Sequence, residues 1–306
     1  MANTRGIRTH MKSVGNIQKI TKAMQMVAAA RLHRAKARAI TGAPFAEKIK
    51  EMLSLAVSDE AVMAGLNMKE HPLLEERKVY KTAYIIVGSD RGLAGSYNTN
   101  VLKHAEIELE NKNCLIIAVG RQIEVGLKRF GYKYDHSFTG FSDQPTFEEA
   151  DEVATLAEHL FVQGEVDEVN LVFTYFKSAL SLEPQTRKLL PVQAFDKVDE
   201  SGQVQEVHRD QMQASDSKNE FANLLYEPQP EEMLKYLAKY YIRSLIYTAF
   251  VEGAACELAA RMTAMSSATD NAEELMGKLE VYYNKARQAG ITNEINEIVG
   301  GAQALE

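Results

Sequence analysis

The stretch Leu258-Ala-Ala-Arg-Met-Thr-Ala-Met-Ser-Ser-Ala-Thr-Asp-Asn-Ala-Glu-Glu-Leu-Met-Gly-Lys-Leu-Glu-Val-Tyr-Tyr-Asn-Lys-Ala286 decides the fold. Within it Leu258, Met262, Met265, Thr269, Ala272, Met276, Leu279, Tyr283 and Ala286 alternate steps of four and three without a break. That spacing, kept over four heptads, marks a helix that winds against another helix. After a five-residue step the rhythm resumes at Ile291, Ile295, Ile298, Ala302 and Leu305, and such a step locally alters a supercoil. No proline follows Pro230, so nothing breaks the helix before the C-terminus. At about 1.5 Å per residue, this arm reaches on the order of 110 Å.

The N-terminal end reads the same way. No proline precedes Pro44, and a helix over residues 3–57 reaches roughly 80 Å. Its apolar residues Ile17, Ile20, Met24 and Val27 follow a 3-4-3 rhythm, preceded by Ile7, Met11 and Val14. Leu32, Ala35 and Ala39 continue it after a slip of one position. Two arms of this length far exceed the ~10–14 residues usual in globular helices. The economical arrangement pairs them as an antiparallel coiled coil projecting from the middle of the chain. Small knobs at Ala28, Ala29, Ala30, Ala255, Ala259 and Ala264 would let the backbones approach closely. Two amphipathic helices packed on a sheet are the alternative.

Between the arms the pattern changes. Ala83–Val87, Leu115–Val119 and Val169–Tyr175 are short β-branched and aromatic runs, separated by helical patterns at 97–111, 121–130 and 146–163. Strands alternating with helices predict an α/β domain with a mostly parallel sheet covered on both faces. A further strand is expected over Thr186–Gln193, after a turn around Pro184, and residues 196–220 read as a polar excursion. The organisation expected is residues 1–75 as the N-terminal coiled-coil helix and its connection, 76–225 as the α/β domain, and 226–306 as the C-terminal coiled-coil helix.

Composition narrows the function. Of 306 residues 45% are hydrophobic and 25% charged, which excludes wholesale disorder. Two cysteines, Cys114 and Cys256, exclude a disulfide framework, and no Cys/His cluster has metal-ligand spacing. No run approaches 18 apolar residues, and the N-terminus lacks the apolar core of a signal peptide. The net charge of −7 hides an asymmetry: residues 1–46 hold nine Lys/Arg and no acid, leaving −16 for the remainder. Arg5, Arg8, Lys12, Lys19, Lys22, Arg31, Arg34, Lys36 and Arg38 spread around one helix, which calls for a negative partner. Nucleic acid, an anionic membrane surface and an acidic protein all qualify, and an acid-poor basic end also matches a mitochondrial presequence. The absence of interleaved aromatics and the acidic remainder count against nucleic acid.

One glycine-rich segment invites a phosphate-loop reading. Gly88-Ser-Asp-Arg-Gly-Leu-Ala-Gly95 follows a strand and precedes a helix, yet it matches neither the Walker nor the dinucleotide pattern. No lysine is placed to reach a phosphate, and Asp90 would repel one. The expected role is a tight turn with glycines at positive φ and Ser96 or Asn98 capping the helix. His10, His33, His71, His104, His136 and His159 are scattered, and the pairs Glu148/Glu149 and Glu273/Glu274 read as exposed helix faces. No catalytic residue, cofactor or metal site is expected.

The two arms carry a resemblance. Lys12-Ser-Val-Gly-Asn-Ile-Gln-Lys-Ile-Thr-Lys-Ala-Met-Gln-Met-Val-Ala-Ala-Ala30 resembles the N-terminal signature of the γ subunits of F-type ATP synthases. Ala268–Ala272 and Tyr283-Asn-Lys-Ala-Arg-Gln-Ala-Gly-Ile-Thr-Asn-Glu-Ile-Asn-Glu-Ile-Val-Gly-Gly301 resemble its C-terminal signature, and Gly88–Asn98 a segment of its central domain. The resemblance runs from end to end. It implies an antiparallel coiled coil of both termini on a Rossmann-like α/β domain, acting as the non-catalytic rotor shaft. One copy would turn inside a hexamer of α and β subunits, with its base on the membrane c-ring beside ε, coupling ion flow to ATP synthesis or hydrolysis.

By position, the resemblance implies that Lys22 and Met24 face the acidic loops of the β subunits. It likewise implies that Arg287, Gln288 and Thr292 meet a β-subunit catch loop, and that Tyr226 and Glu227 touch the c-ring. Leu224 stands where relatives often have tyrosine, Ala94 replaces a usual cysteine and Ser96 a glycine. Gly15 interrupts the first helix at about 1 kcal/mol relative to alanine, a point of expected local flexibility. With two cysteines alone, thiol gating of the photosynthetic kind is not expected. The signature begins almost at Met1, which favours a bacterial protein, peripheral on the cytoplasmic face of the plasma membrane. The competing class is a nucleotide-dependent α/β enzyme or nucleic-acid-binding protein with helical arms, which would bind ATP or DNA as an isolated chain.

Overall fold

A computed structural model describes residues 2–58, 71–110, 112–141, 144–179, 181–192, 197–198, 204–205 and 230–303. The chain divides into two compact units, one of Met1–Ala30 with Arg261–Glu306, the other of Arg31–Ala260. Two long helices supply residues to both: α1 (Ala2–Ser58) and, at the other end of the chain, α5 (Pro230–Gln303). Their bounds lie within a few residues of the expected ones, although α1 runs on through Pro44.

In the larger unit a five-stranded sheet runs in the order β3-β2-β1-β4-β5. Its strands are β1 (Thr82–Val87), β2 (Cys114–Val119), β3 (His136–Phe138), β4 (Glu168–Phe176) and β5 (Leu182–Leu190). The helices between them are α2 (Tyr97–Leu109), α3 (Arg121–Phe130) and α4 (Phe147–Val162). β1 pairs in parallel with both β2 and β4, β3 is parallel to β2, and β5 returns antiparallel to β4. Two short strands, β6 (Lys197–Val198) and β7 (Val204–Gln205), pair with each other.

The strands are apolar on both faces because both faces are covered. Ala83, Ile85 and Val87 of β1 join Leu115, Ile117, Val119, Leu171 and Phe173 in a core closed by α4, by residues 234–250 of α5, and by Ile49 and Leu53 of α1. The alternate residues Tyr84, Ile86, Ile116, Ala118 and Val172 face α2, α3 and Cys256. This layering is the doubly covered, mostly parallel sheet expected from the alternation of elements. Pro184 corrects one expectation, because it sits inside β5, opposite Thr174, and not in the preceding turn. β5 is an edge strand, the place in a sheet where proline is tolerated. The three-residue β3 was invisible to periodicity.

In the smaller unit the arms pair antiparallel. The hydroxyls of Thr21 and Thr269 lie 2.8 Å apart, and a Cβ on Gly15 would stand 3.0 Å from Met276 Cε. Residues that face each other therefore have numbers summing to about 290. On α5 the seam is the expected one: Met265, Thr269 and Ala272 are buried, and partial burial continues through Met276, Leu279, Tyr283 and Ala286. On α1 the expectation fails in one respect. The buried side keeps an unbroken four-three step through Ile7, Met11, Val14, Gln18, Thr21, Gln25 and Ala28. Ile17, Ile20 and Val27, read as seam from hydrophobicity, are instead 51%, 59% and 53% exposed. The closely approaching partner selects small and hydrogen-bonding residues, so polar Gln18 and Thr21 take seam positions while the isoleucines face outward. Gly15 lies beside this seam, where a Cβ would press on the terminal methyl of Met276.

Candidate functional site

The arms hold most of the residues singled out from sequence. Lys22 is exposed one residue past Thr21, and Met24 is half-buried at the flank of the seam. Arg287, Gln288 and Thr292 are exposed on α5, with the Thr292 hydroxyl donating to the Gln288 carbonyl at 3.0 Å. By the facing rule Lys22 lies level with residue 268, so about 30 Å of helix separates it from Arg287. The two groups form separate stations on one rod. Tyr226 and Glu227 lie outside the described residues, as do Leu224 and most of 196–220.

Where the pairing ends is informative. Ala2, the first described residue of α1, falls level with residue 288, and every side chain from Ile291 to Gly300 is exposed. Ile295 and Ile298, 54% and 71% exposed, continue the apolar stripe with no partner from this chain among the described residues. Ile17, Ile20 and Val27 add a second outward apolar stripe on α1. On α1 Arg5, Arg8, Lys12, Lys19 and Lys22 are also exposed, and none pairs with a carboxylate among the described residues. Apolar rows interleaved with cations and lacking a cover mark a surface for a partner. Sequence reading missed the stripe on α1 as a surface. The signal that could have exposed it was the four-three step running on through Gln18, Thr21 and Gln25.

The turn after β1 sends Asp90 to the start of α3, the helix that follows β2. Asp90 accepts from the backbone N–H of Arg121 at 3.1 Å and of Gly140 at 3.0 Å. Its carboxylate thus occupies the start of α3, where a phosphate would otherwise be held by free N–H groups. Neither Ser96 nor Asn98 caps α2 through its side chain, contrary to expectation. Asn98 turns back instead, accepting from Ser89 N at 3.0 Å and donating to Ser89 Oγ at 2.7 Å. Positive φ falls at Gly95 and at Leu93, whereas Gly88 is required by contact: a Cβ there would lie 2.4 Å from Ile123.

The turn delivers Tyr97 into the interior, 3% exposed. Burial, with Cys256 and Glu257 adding to it, holds its phenol neutral and well above the usual titration range. Burial also pushes the Cys256 thiol far up, so it acts as a small packed group; its Sγ donates to the Thr174 carbonyl at 3.4 Å. Glu252, one turn earlier, is partly buried. Burial raises its carboxyl from 4.5 to about 7, while Arg187 and the Phe176 N–H pull the other way. The folded chain then keeps a proton that the unfolded chain releases between those values. Stability contributed by this group is complete below pH 4.5 and lost as pH rises through 7, about 3 kcal/mol in all. Glu252→Gln should flatten that slope: melting curves of the full chain between pH 5 and 8 should show the variant gaining on the parent as pH rises. Parallel curves would refute the assignment.

Other carboxylates have structural work. Glu149 and Thr146 form a capping box at the start of α4, bonded at 2.8 and 3.3 Å. Arg243 of α5 bridges to Asp151 and Glu158 of α4, the latter at 2.5 Å. Glu273 and Glu274 are exposed as expected. Among the described residues no group of His, Cys, Asp and Glu is placed to hold a metal ion, and no helix is long and apolar enough to cross a membrane.

A family model described as ATP synthase matches residues 3–305. The ATP synthase gamma chain of Heliobacterium modesticaldum is 40% identical over 306 residues, covering the whole of both chains. That of Desulforamulus reducens is 41% identical over 307 residues, again end to end. Among solved structures, a chain of the central stalk and c-ring of the Tetrahymena thermophila mitochondrial ATP synthase aligns with a TM-score of 0.56 and 26% identity, over 81% of this chain and 99% of that one. A chain of the Euglena gracilis mitochondrial ATP synthase shares the fold, with a TM-score of 0.64 at 22% identity over 99% and 95%.

Proposed function

This chain belongs to the ATP synthase gamma-chain family, a rotor subunit of that machine, and we propose that its paired arms are the axle on which coupling depends. The observation that carries the reading is the uncovered end of α5, where the apolar stripe runs through Ile298, about ten residues past the level of the first described residue of α1. Burying one isoleucine side chain is worth about 1.5–3 kcal/mol, so a row of them left in water calls for an apolar sleeve. A sleeve of α and β subunits fits, and acidic β-subunit loops fit the basic, acid-free face of α1. Lys22 and Met24 form one station of contact, and Arg287, Gln288 and Thr292 the other. Tyr226 and Glu227, at the chain's entry into α5, are proposed to meet the c-ring, with ε alongside.

In this reading the shaft performs no bond chemistry and holds no nucleotide. The glycine-rich turn after β1 matches no nucleotide-binding pattern, and Asp90 spends its carboxylate on backbone N–H groups at the start of α3 and at Gly140, which supports that view. Rotation of an asymmetric rod would force the β sites through different affinities, driven by ion flow or by ATP hydrolysis. The chain would sit peripherally, on the cytoplasmic face of a bacterial plasma membrane. Affinity capture of the full chain from membranes, followed by mass spectrometry, tests the partners: α, β, ε and c subunits are expected at one copy of this chain per complex. Recovery without α and β would overturn the assignment, and so would tight ATP binding by the isolated chain.

A further inference from the structure

In open α/β sheets the crevice beyond the carboxyl ends of the strands, where strand order reverses, is the usual place for a ligand. Here the order reverses between β1 and β4. That crevice is filled by the chain's own α5. At the end of β4, Glu252 takes the Phe176 N–H and Cys256 bonds the Thr174 carbonyl. At the end of β1, a Cβ on Gly253 would stand 3.5 Å from Val87 Cγ1 and 3.3 Å from the Tyr97 hydroxyl. The space left among Val87, Gly88, Val119, Gly120, Phe250 and Gly253 is about 10 Å³, which holds one water at most.

We propose that this crevice is a socket that grips α5, with Tyr97 as the key seated against Gly253, so that the α/β domain and the shaft helix turn as one body. Glycine inside a helix is ordinarily unfavourable relative to alanine, and here its bare Cα lets the Tyr97 hydroxyl approach to a distance that a Cβ would crowd by a few tenths of an ångström. The Gly88–Asn98 turn, which matches no phosphate-loop pattern, gains a role as the device that presents Tyr97. Any rotation of α5 about its own axis would carry Gly253 away and drive Glu252 or Ala254 into the phenol and the strand ends. A close-packed interior resists that motion strongly. The inference rests on the rotor reading above, in which torque must pass between domain and helix; Tyr97 acts as a positioning residue.

The test uses the whole membrane complex and reads ions pumped per ATP hydrolysed, beside ATPase rate and subunit stoichiometry. Gly253→Val, which overfills the socket, should lower the pumping ratio by about two-fold or more at unchanged hydrolysis and assembly. Gly253→Ala, milder and kinder to folding, should lower it less. Adding Tyr97→Phe to Gly253→Ala removes the crowded hydroxyl and should restore the parent ratio, a recovery that general destabilisation would not give. An unchanged ratio in the Gly253 variants, or no recovery in the double variant, overturns the proposal. Truncation after Gly290 serves as the separate control: if it too leaves coupling untouched, the rotor reading has failed and not the socket alone.

Discussion

Removing residues 291–306 is expected to leave a folded chain that holds its partners weakly and couples poorly. Among the described residues the paired seam ends near residue 288, so truncation after Gly290 leaves that seam in place. Melting of the isolated chain should shift by no more than ~0.5 kcal/mol, as for surface changes elsewhere. The loss falls on the complex. Ile291, Ile295 and Ile298 are each about half exposed or more, and seating three isoleucines in an apolar sleeve contributes up to ~5 kcal/mol. Coupled ATP synthesis should fall steeply in membranes carrying the truncated chain, while nucleotide binding at the catalytic sites persists. Unchanged synthesis would remove this segment from the bearing.

The largest effect on folding is expected at Gly120. Its φ of +100° lies in the region that side chains rarely adopt, and a Cβ there would meet Gly88 O at 2.7 Å and Ser89 O at 2.9 Å. Those are backbone atoms of the turn that carries Asn98 and Tyr97, and they cannot step aside. Gly120 N also donates to Phe138 O at 2.8 Å, tying β3 to the sheet. Strained φ costs about 1–3 kcal/mol and overpacking a similar amount, so Gly120→Val should destabilise by about 3–5 kcal/mol. A domain with ~5–15 kcal/mol of stability would be left marginal. Gly140 provides the control. Its φ is +98° but a Cβ there meets nothing within 4 Å, so Gly140→Ala should lose only the conformational part. Denaturant titration of both variants checks the difference; equal losses would show that the contact with Gly88 is unimportant.

How far the sequence could be read depended on what kind of signal each feature leaves. The arms were legible because proline exclusion and four-three spacing persist over dozens of residues. β1, β2 and β4 were legible because strands covered on both faces are apolar without interruption. The α1 seam was misread because hydrophobicity ranks Ile17 and Ile20 above Gln18 and Thr21, whereas facing geometry depends on period. Two unrelated apolar stripes on one helix cannot be told apart without knowing which one the partner covers. Asp90 was read from charge alone; its bonds to Arg121 N and Gly140 N, 31 and 50 positions away, leave no local signal in the sequence. The Tyr97–Gly253 contact spans the length of the domain and leaves no local trace. For the arm stations, resemblance supplied the residues and geometry supplied only their exposure and separation.

The axle claim is tested most directly by watching this chain turn. Its two cysteines suit the purpose: Cys256 is fully buried with its thiol pushed far up, while Cys114 at the start of β2 is partly exposed. A bead attached through Cys114, in a complex with surface-anchored α and β subunits, reports the angle of the chain during ATP hydrolysis. Stepwise rotation in one direction, stopping when ATP is exhausted, is the expected result. A bead that stays fixed while the same complexes hydrolyse ATP at full rate would contradict the account.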